Sequence, residues 1–291
     1  MTHDLRHRLI VGVDGSSCSE LALRWAVDEA DRRSLPLHLV HARSVGDWWR
    51  FARVGVPSEL LTAADPILQE RVDRIRSRSS HLLLTAESFV AHAAEVLVTS
   101  SRGAAGVVLG SRGRGPVGQT MLGSVSAHVS AHAHCPVVVV HDAAETVPRE
   151  ARVVVGVDGS GGSDAAISYA FEQAAARSIG LTAVHSWTAA LGDDWTAAGH
   201  SFHQRQDMMR AYRNRLFETV AARSLTYPDV EVQDCIRLQD PVTTLVEESR
   251  RAALVVVGSR GLGGFAGLLM GSVSRAVLAR AACPVAVVRP G

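Results

Sequence analysis

Two stretches of the chain set glycine and serine where an anion could be held without any basic side chain. Residues 110–124 read Gly-Ser-Arg-Gly-Arg-Gly-Pro-Val-Gly-Gln-Thr-Met-Leu-Gly-Ser, and residues 258–272 repeat the frame; both fit G-x2-G-x9-G-S. Gly110 and Gly113, like Gly258 and Gly261, come directly off an apolar run that reads as a buried strand. Lacking Cβ, they are expected to take positive φ and let backbone N–H groups approach an anion. Gly123-Ser124 and Gly271-Ser272 then open a helix, whose unpaired N–H groups and dipole favour phosphate. The serine hydroxyl is a further donor. A glycine-rich strand–helix loop with no ligand is the competing reading. Two copies with identical internal spacing weigh against it.

Composition narrows the chemistry. All 30 basic residues are arginine, and the chain has no lysine. That excludes a lysine Schiff base and a GxxxxGK[ST] phosphate loop. A phosphate here must be met by backbone N–H groups, hydroxyls, arginine or a metal. The 29 acidic residues leave a net charge of +1, which argues against an electrostatically driven nucleic-acid binder. No apolar run reaches the ~18 residues of a membrane span, and the first residues do not read as a secretory signal. The four cysteines form no CxxC pair. A cytoplasmic protein with reduced thiols is the expectation.

The elements that must position these loops are duplicated. Val11-Gly-Val-Asp-Gly-Ser16 recurs as Val155-Gly-Val-Asp-Gly-Ser160, and Cys135-Pro-Val137 as Cys283-Pro-Val285. Two homologous half-chains are expected, spanning residues 1–143 and 150–291, with a polar linker at 144–149. In the first, Leu9–Val13, Leu37–Ala42, Val107–Gly110 and Val137–Val140 read as strands. Leu21, Trp25, Ala26, Glu29 and Ala30 fit an amphipathic helix, with further helices near 67–79 and from Ser124. In the second, Val153–Val157, Leu181–His185, Val230–Arg237, Leu254–Gly258 and Val285–Val288 read as strands. Alternating strands and helices predict parallel βαβ units, an α/β fold.

With both V-G-V-D-G-S starts, both G-x2-G-x9-G-S loops and both C-P-V closing strands, nearly the whole chain resembles the universal stress protein family in its tandem form. The resemblance implies two Rossmann-like domains, each a five-stranded parallel sheet in order 3-2-1-4-5 with helices on both faces. It implies ATP, with Mg²⁺, at the C-terminal ends of strands 1 and 4. Carried over by position, Gly12, Asp14 and Ala42 would line the nucleoside side of the first site. Gly110, Arg112, Gly113, Gly115, Gly123, Ser124, Val125 and Ser126 would wrap ribose and phosphates. The second site would use Gly156, Asp158, Ser186, Gly258, Arg260, Gly261, Gly263, Gly271, Ser272, Val273 and Ser274. The first loop carries Arg114, Pro116, Gln119 and Thr120 where the second has Leu262, Gly264, Gly267 and Leu268. The second is nearer the family's form, so the first site is expected to be the weaker. The resemblance also implies that the two halves pair through their final strands and that whole chains form homodimers, with protein partners unspecified.

Other features are weighed against simpler readings. Asp14 and Asp158 could accept from adenine or ribose, or could form Asx turns that cap a helix. Ser160-Gly-Gly-Ser-Asp164 looks like the pyrophosphate loop of ATP pyrophosphatases, but Ala165 replaces its final serine. His128 and His132 stand one helical turn apart, a spacing open to Zn²⁺, yet the second copy has no histidine in that helix. Trp48, Trp49, Trp187 and Trp195 follow the second strand of each copy and suit either a partner surface or ordinary packing. No general base, nucleophile dyad or metal cluster is evident. A nucleotide-binding regulator is therefore expected rather than a fast enzyme, with slow hydrolysis or autophosphorylation at Ser124 or Ser272, or a nucleotide-free interaction module, as alternatives.

Overall fold

The computed structural model describes residues 6–43, 65–113, 122–142, 150–187, 218–261 and 269–290, with Arg210 and Asn214. It divides into two compact units, Met1–Asp142 and Ala143–Gly291. The first runs β1 (Leu9–Gly12), α1 (Ser17–Arg32), β2 (Leu37–Ala42), α2 (Pro66–Arg78), β3 (Leu84–Phe89), α3 (Ala93–Ser100), β4 (Gly106–Gly110), α4 (Ser124–His132) and β5 (Val137–Val140). Its strands are all parallel, in order β3-β2-β1-β4-β5. The second runs β6 (Arg152–Gly156), α5 (Gly161–Arg177), β7 (Leu181–Trp187), β8 (Val232–Leu238), α6 (Pro241–Ser249), β9 (Ala252–Gly258), α7 (Ser272–Arg280) and β10 (Val285–Val288). Its order, β8-β7-β6-β9-β10, is the same 3-2-1-4-5 winding.

The central strands are short apolar runs because a parallel sheet is covered on both faces. Ile10, Val11, Val107 and Val108 are fully buried, as are Val153, Val155, Val255 and Val256. Helix α1 packs on β1 and β4 through Ala22, Leu23, Ala26 and Ala30. Three of those four are alanine, which brings the helix axis close to the sheet. Trp25, expected in that stripe, is only half-buried at its border. In the second unit Ala166, Ile167, Ala170, Phe171 and Ala174 make the corresponding stripe of α5. Cys135 and Cys283 are packing residues, their thiols pushed up to about 12 by burial.

β3 escapes the strand pattern read from the sequence. It lies at the edge of its sheet, and all six residues are half-buried, Thr85, Glu87 and Ser88 among them. α3 and α6 were likewise not anticipated; each is short, of eight and nine residues.

One carboxylate ties three elements of the first unit together. Asp65 caps α2, accepting from the Leu68 N–H at 3.2 Å, with Pro66 at the first helical position. Its other oxygen accepts from the Ser88 hydroxyl of β3 at 2.7 Å and lies 2.5 Å from His41 Nδ1 of β2. Burial alone would raise the Asp65 pKa, but the bonds from Ser88, His41 and Leu68 outweigh it and hold the group below its ordinary 3.8. A carboxyl with a depressed folded pKa contributes stability above its unfolded pKa and loses it as pH falls through the folded value. Asp65→Ala should therefore cost about 1–3 kcal/mol near neutral pH, through a lost cap and the bonds left unmade. Urea titrations should show less acid-side loss of stability below pH 3.8 in the variant than in the parent. Parallel pH profiles would contradict this account.

Candidate functional site

In each unit the winding reverses beside the first strand, so the C-terminal ends of β1 and β4, and of β6 and β9, open a cleft. The first cleft, about 240 Å³, is lined by Gly12, Asp14, Ala42, Gly110, Arg112, Gly113, Gly123, Ser124, Val125 and Ser126 among others. The second, about 510 Å³, is lined by Gly156, Asp158, Ser186, Gly258, Arg260, Gly261, Gly271, Ser272, Val273 and Ser274. The structure thus gathers ten carried-over residues around each cleft. Gly115 and Gly263 lie outside the described residues, as do Trp48, Trp49, Trp195, the linker 144–149 and the differing positions 114–120 and 262–268 of the two loops.

The floor of each cleft is apolar. Val40, Ala42, Leu97 and Leu109 form it in the first unit, and Val184, Leu245 and Val257 in the second. Ser186 stands at the position of Ala42, but its hydroxyl is engaged, donating to the Gln239 carbonyl at 2.5 Å and meeting Thr244 Oγ1 at 2.9 Å.

The two V-D-G-S segments adopt the Asx turn. Asp14 Oδ1 accepts from the Ser16 N–H at 2.9 Å and from its hydroxyl at 2.6 Å. Asp158 Oδ1 accepts from the Ser160 N–H at 2.9 Å. Gly15 and Gly159 sit at φ of 81° and 77°, where a side chain would be strained, so this glycine is required by the turn. Each aspartate leaves Oδ2 toward the loop: a Cβ on Gly113 would lie 2.7 Å from Asp14 Oδ2.

The Gly loops close on themselves. The Gly123 N–H donates to the Ser111 carbonyl at 2.8 Å and the Gly271 N–H to the Ser259 carbonyl at 2.7 Å. Ser126 and Ser274 donate their hydroxyls to the carbonyls of Gly110 and Gly258, both at 2.6 Å, stapling helix to strand end. Neither N-cap glycine supplies a side-chain acceptor. The N–H groups of Ser124, Val125 and Ser126, and of Ser272, Val273 and Ser274, therefore have no acceptor within their helices. Ser124 and Ser272 are exposed at the cleft rim.

One expectation is corrected. Gly110, Gly113, Gly258 and Gly261 do not take positive φ; among the described glycines only Gly15, Gly103 and Gly159 do. Gly110 is instead needed for close approach, since a Cβ there would lie 2.6 Å from the Cys18 carbonyl carbon at the start of α1. The pyrophosphatase-like loop is a helix start: Ser163 donates its N–H and its hydroxyl to the Ser160 carbonyl, at 3.0 and 2.7 Å. His128 and His132 stack at 4.0 Å, and among the described residues no group of three His, Cys, Asp or Glu could hold a metal.

Reading each copy alone misses Asp142, Arg275 and Arg289. Arg112 is ion-paired to Asp142, just past β5, and the Cys18 thiol donates to the same carboxylate at 2.9 Å. In the second unit Arg275 lines the cleft, and Arg289 follows Val288, which pairs with Gly258, so it stands at the strand end adjoining the one that leads to Arg260. Overlaying the copies at the loop offset would have exposed them, because Ala127, His141 and Asp142 stand opposite Arg275, Arg289 and Pro290.

The glycine contacts give a direct test. At Gly258 an added Cβ meets the Gly162 and Arg260 carbonyl oxygens at 3.0 and 3.2 Å, a crowding that small shifts relieve. At Gly110 it overlaps fixed backbone. Gly110→Ala should destabilise its unit by about 1–3 kcal/mol, the usual range for overpacking, and Gly258→Ala by less. Melting without nucleotide measures both. Equal losses would remove the distinction.

Comparison with known proteins places this geometry in a family. Residues 6–141 and 151–289 each match the Universal stress protein family. Universal stress protein Rv2623 of Mycobacterium tuberculosis is 37% identical over 293 residues, covering 97% of this chain and 96% of the relative. A universal stress protein of Mycolicibacterium smegmatis is 36% identical over 289 residues, with 97% of both chains covered. Among solved structures, a universal stress protein from Archaeoglobus fulgidus superposes with a TM-score of 0.60 at 19% identity over 98% of both chains, a likeness of fold. Two matched segments and relatives aligned from end to end lead to one conclusion: the chain is a member of the universal stress protein family, built from two tandem copies.

Proposed function

We propose that this chain binds adenine nucleotide, ATP with Mg²⁺, in its clefts and acts through nucleotide-dependent association rather than rapid catalysis. One observation carries the reading. In both units, helix N–H groups left uncapped by glycine open onto a cleft with an apolar floor at the switch point of the sheet. An apolar slot suits a purine, and backbone donors suit phosphate in a chain without lysine. The adenine would lie near Val184, Ser186, Leu245 and Val257. The phosphates would meet Gly258–Gly261 and the first turn of α7, and the first cleft would be used in the same way through Gly110–Gly113 and α4. The second cleft falls within the ~300–1,000 Å³ common for ligand sites, and the first lies below it. The location proposed is cytoplasmic and the assembly a homodimer; among the described residues no helix is long and apolar enough to cross a membrane.

ATP should co-purify with the protein or bind at up to two per chain. Chromatography of the supernatant after denaturation and calorimetry of the stripped protein read this directly. Absence of adenine nucleotide in both would favour a nucleotide-free interaction module. Turnover should be slow, well under the ~10 s⁻¹ median of enzymes. Rapid pyrophosphate release abolished by Ser160→Ala would instead establish an enzyme.

A further inference from the structure

The two clefts differ in charge more than their shared loops suggest. Around the first, among the described residues, one cation faces two carboxylates: Arg112 is ion-paired with Asp142, and Asp14 lines the same cleft. Around the second, two cations and one carboxylate line the cleft, with a third cation at the adjoining strand end. Arg260 and Arg275 line it with Asp158, and Arg289 follows Val288, which pairs with Gly258. The loop residue Arg114, opposite Leu262, adds one cation to the first copy's sequence, which narrows the contrast without reversing it.

Arg289 is notable in its own right. Its Nη2 donates weakly to the Leu269 carbonyl at 3.4 Å, and its Nε is buried with no acceptor among the described residues. Burial and then the Arg260 charge push its pKa below the ordinary arginine value. A cation at the strand end adjoining that of Arg260, with a buried N–H lacking an acceptor among the described residues, forms an arrangement that an anion would relieve. The second cleft also has the larger volume, about 510 against 240 Å³.

We propose that the second cleft selects nucleotides by phosphate charge, with Arg260, Arg275 and Arg289 as its specificity residues for a polyphosphate tail. The first cleft, its arginine held by Asp142, discriminates little between mono- and triphosphate. The two clefts of one chain then answer to different nucleotides. This rests on the nucleotide-binding reading above.

The test uses the full chain, stripped of nucleotide, with ATP and AMP titrated separately by calorimetry in EDTA at low ionic strength. Arg275→Ala places the first copy's residue in the second, at an exposed helix position that should leave melting unchanged. It should weaken ATP at one class of site about tenfold, the low end for a hydrogen bond to a charged group, and AMP by no more than about threefold. Arg289→Ala should act in the same direction, and the ATP preference should shrink as salt is raised. Ala127→Arg should create a preference for ATP at the other class. Equal losses of ATP and AMP, or no loss of either, would overturn charge selection while leaving nucleotide binding intact. No binding of either nucleotide by the parent protein would overturn both.

Discussion

The closeness of α1 to the end of β4 governs the first unit. The Cys18 backbone occupies the space in which any side chain on Gly110 would begin. At that distance the helix start, the Asx turn of Asp14 and the strand end form one rigid corner. The Ser126 staple fixes α4 to the same strand end, so the open N–H groups of α4 face the cleft at a set depth. In the second unit the Gly258–Gly162 approach takes this place, with slightly more room. The cleft is a by-product of packing two backbones as tightly as glycine allows.

How much could be read beforehand follows from the same packing. Strands buried on both faces must be apolar along their length, so β1, β4, β5 and their counterparts were legible as short valine-rich runs. β3 carries the mixed signal of an edge, half-buried at every position, and offered no run to detect. Helices α3 and α6, at eight and nine residues, are too short for a periodic pattern to stand out. The Gly loops were found from spacing, and at Gly110 the glycine is required because a side chain would overlap fixed backbone. The reason differs from the expected one: close approach of backbone, with positive φ confined to Gly15, Gly103 and Gly159. Asp142 and Arg289 belong to no motif. They come from the strand end opposite the loop, where the two copies differ in sequence and the fold brings them near it.

Side-chain hydrogen bonding narrows what several of the hydroxyls can do. Ser126, Ser274, Ser163 and Ser186 line the clefts, yet each donates to a backbone carbonyl. A buried hydroxyl must find an acceptor, and the nearest is usually the chain itself. Backbone N–H groups, arginines and the exposed hydroxyls of Ser124 and Ser272 are then the donors facing the clefts. In a protein without lysine, placement of arginine carries most of the electrostatic information. The pairing of Arg112 with Asp142 cancels a charge in one copy that the other keeps.

The tandem arrangement has a genetic consequence. When two separate copies of one polypeptide each carry a site, a single mutation is written into both at once, and neither can change alone. Here the copies are encoded in series, so alanine at 127 and arginine at 275 coexist in every molecule. Each site can drift, be tuned or be lost while its neighbour is held constant. A chain of this kind can present two different answers to the cell from a single translation product.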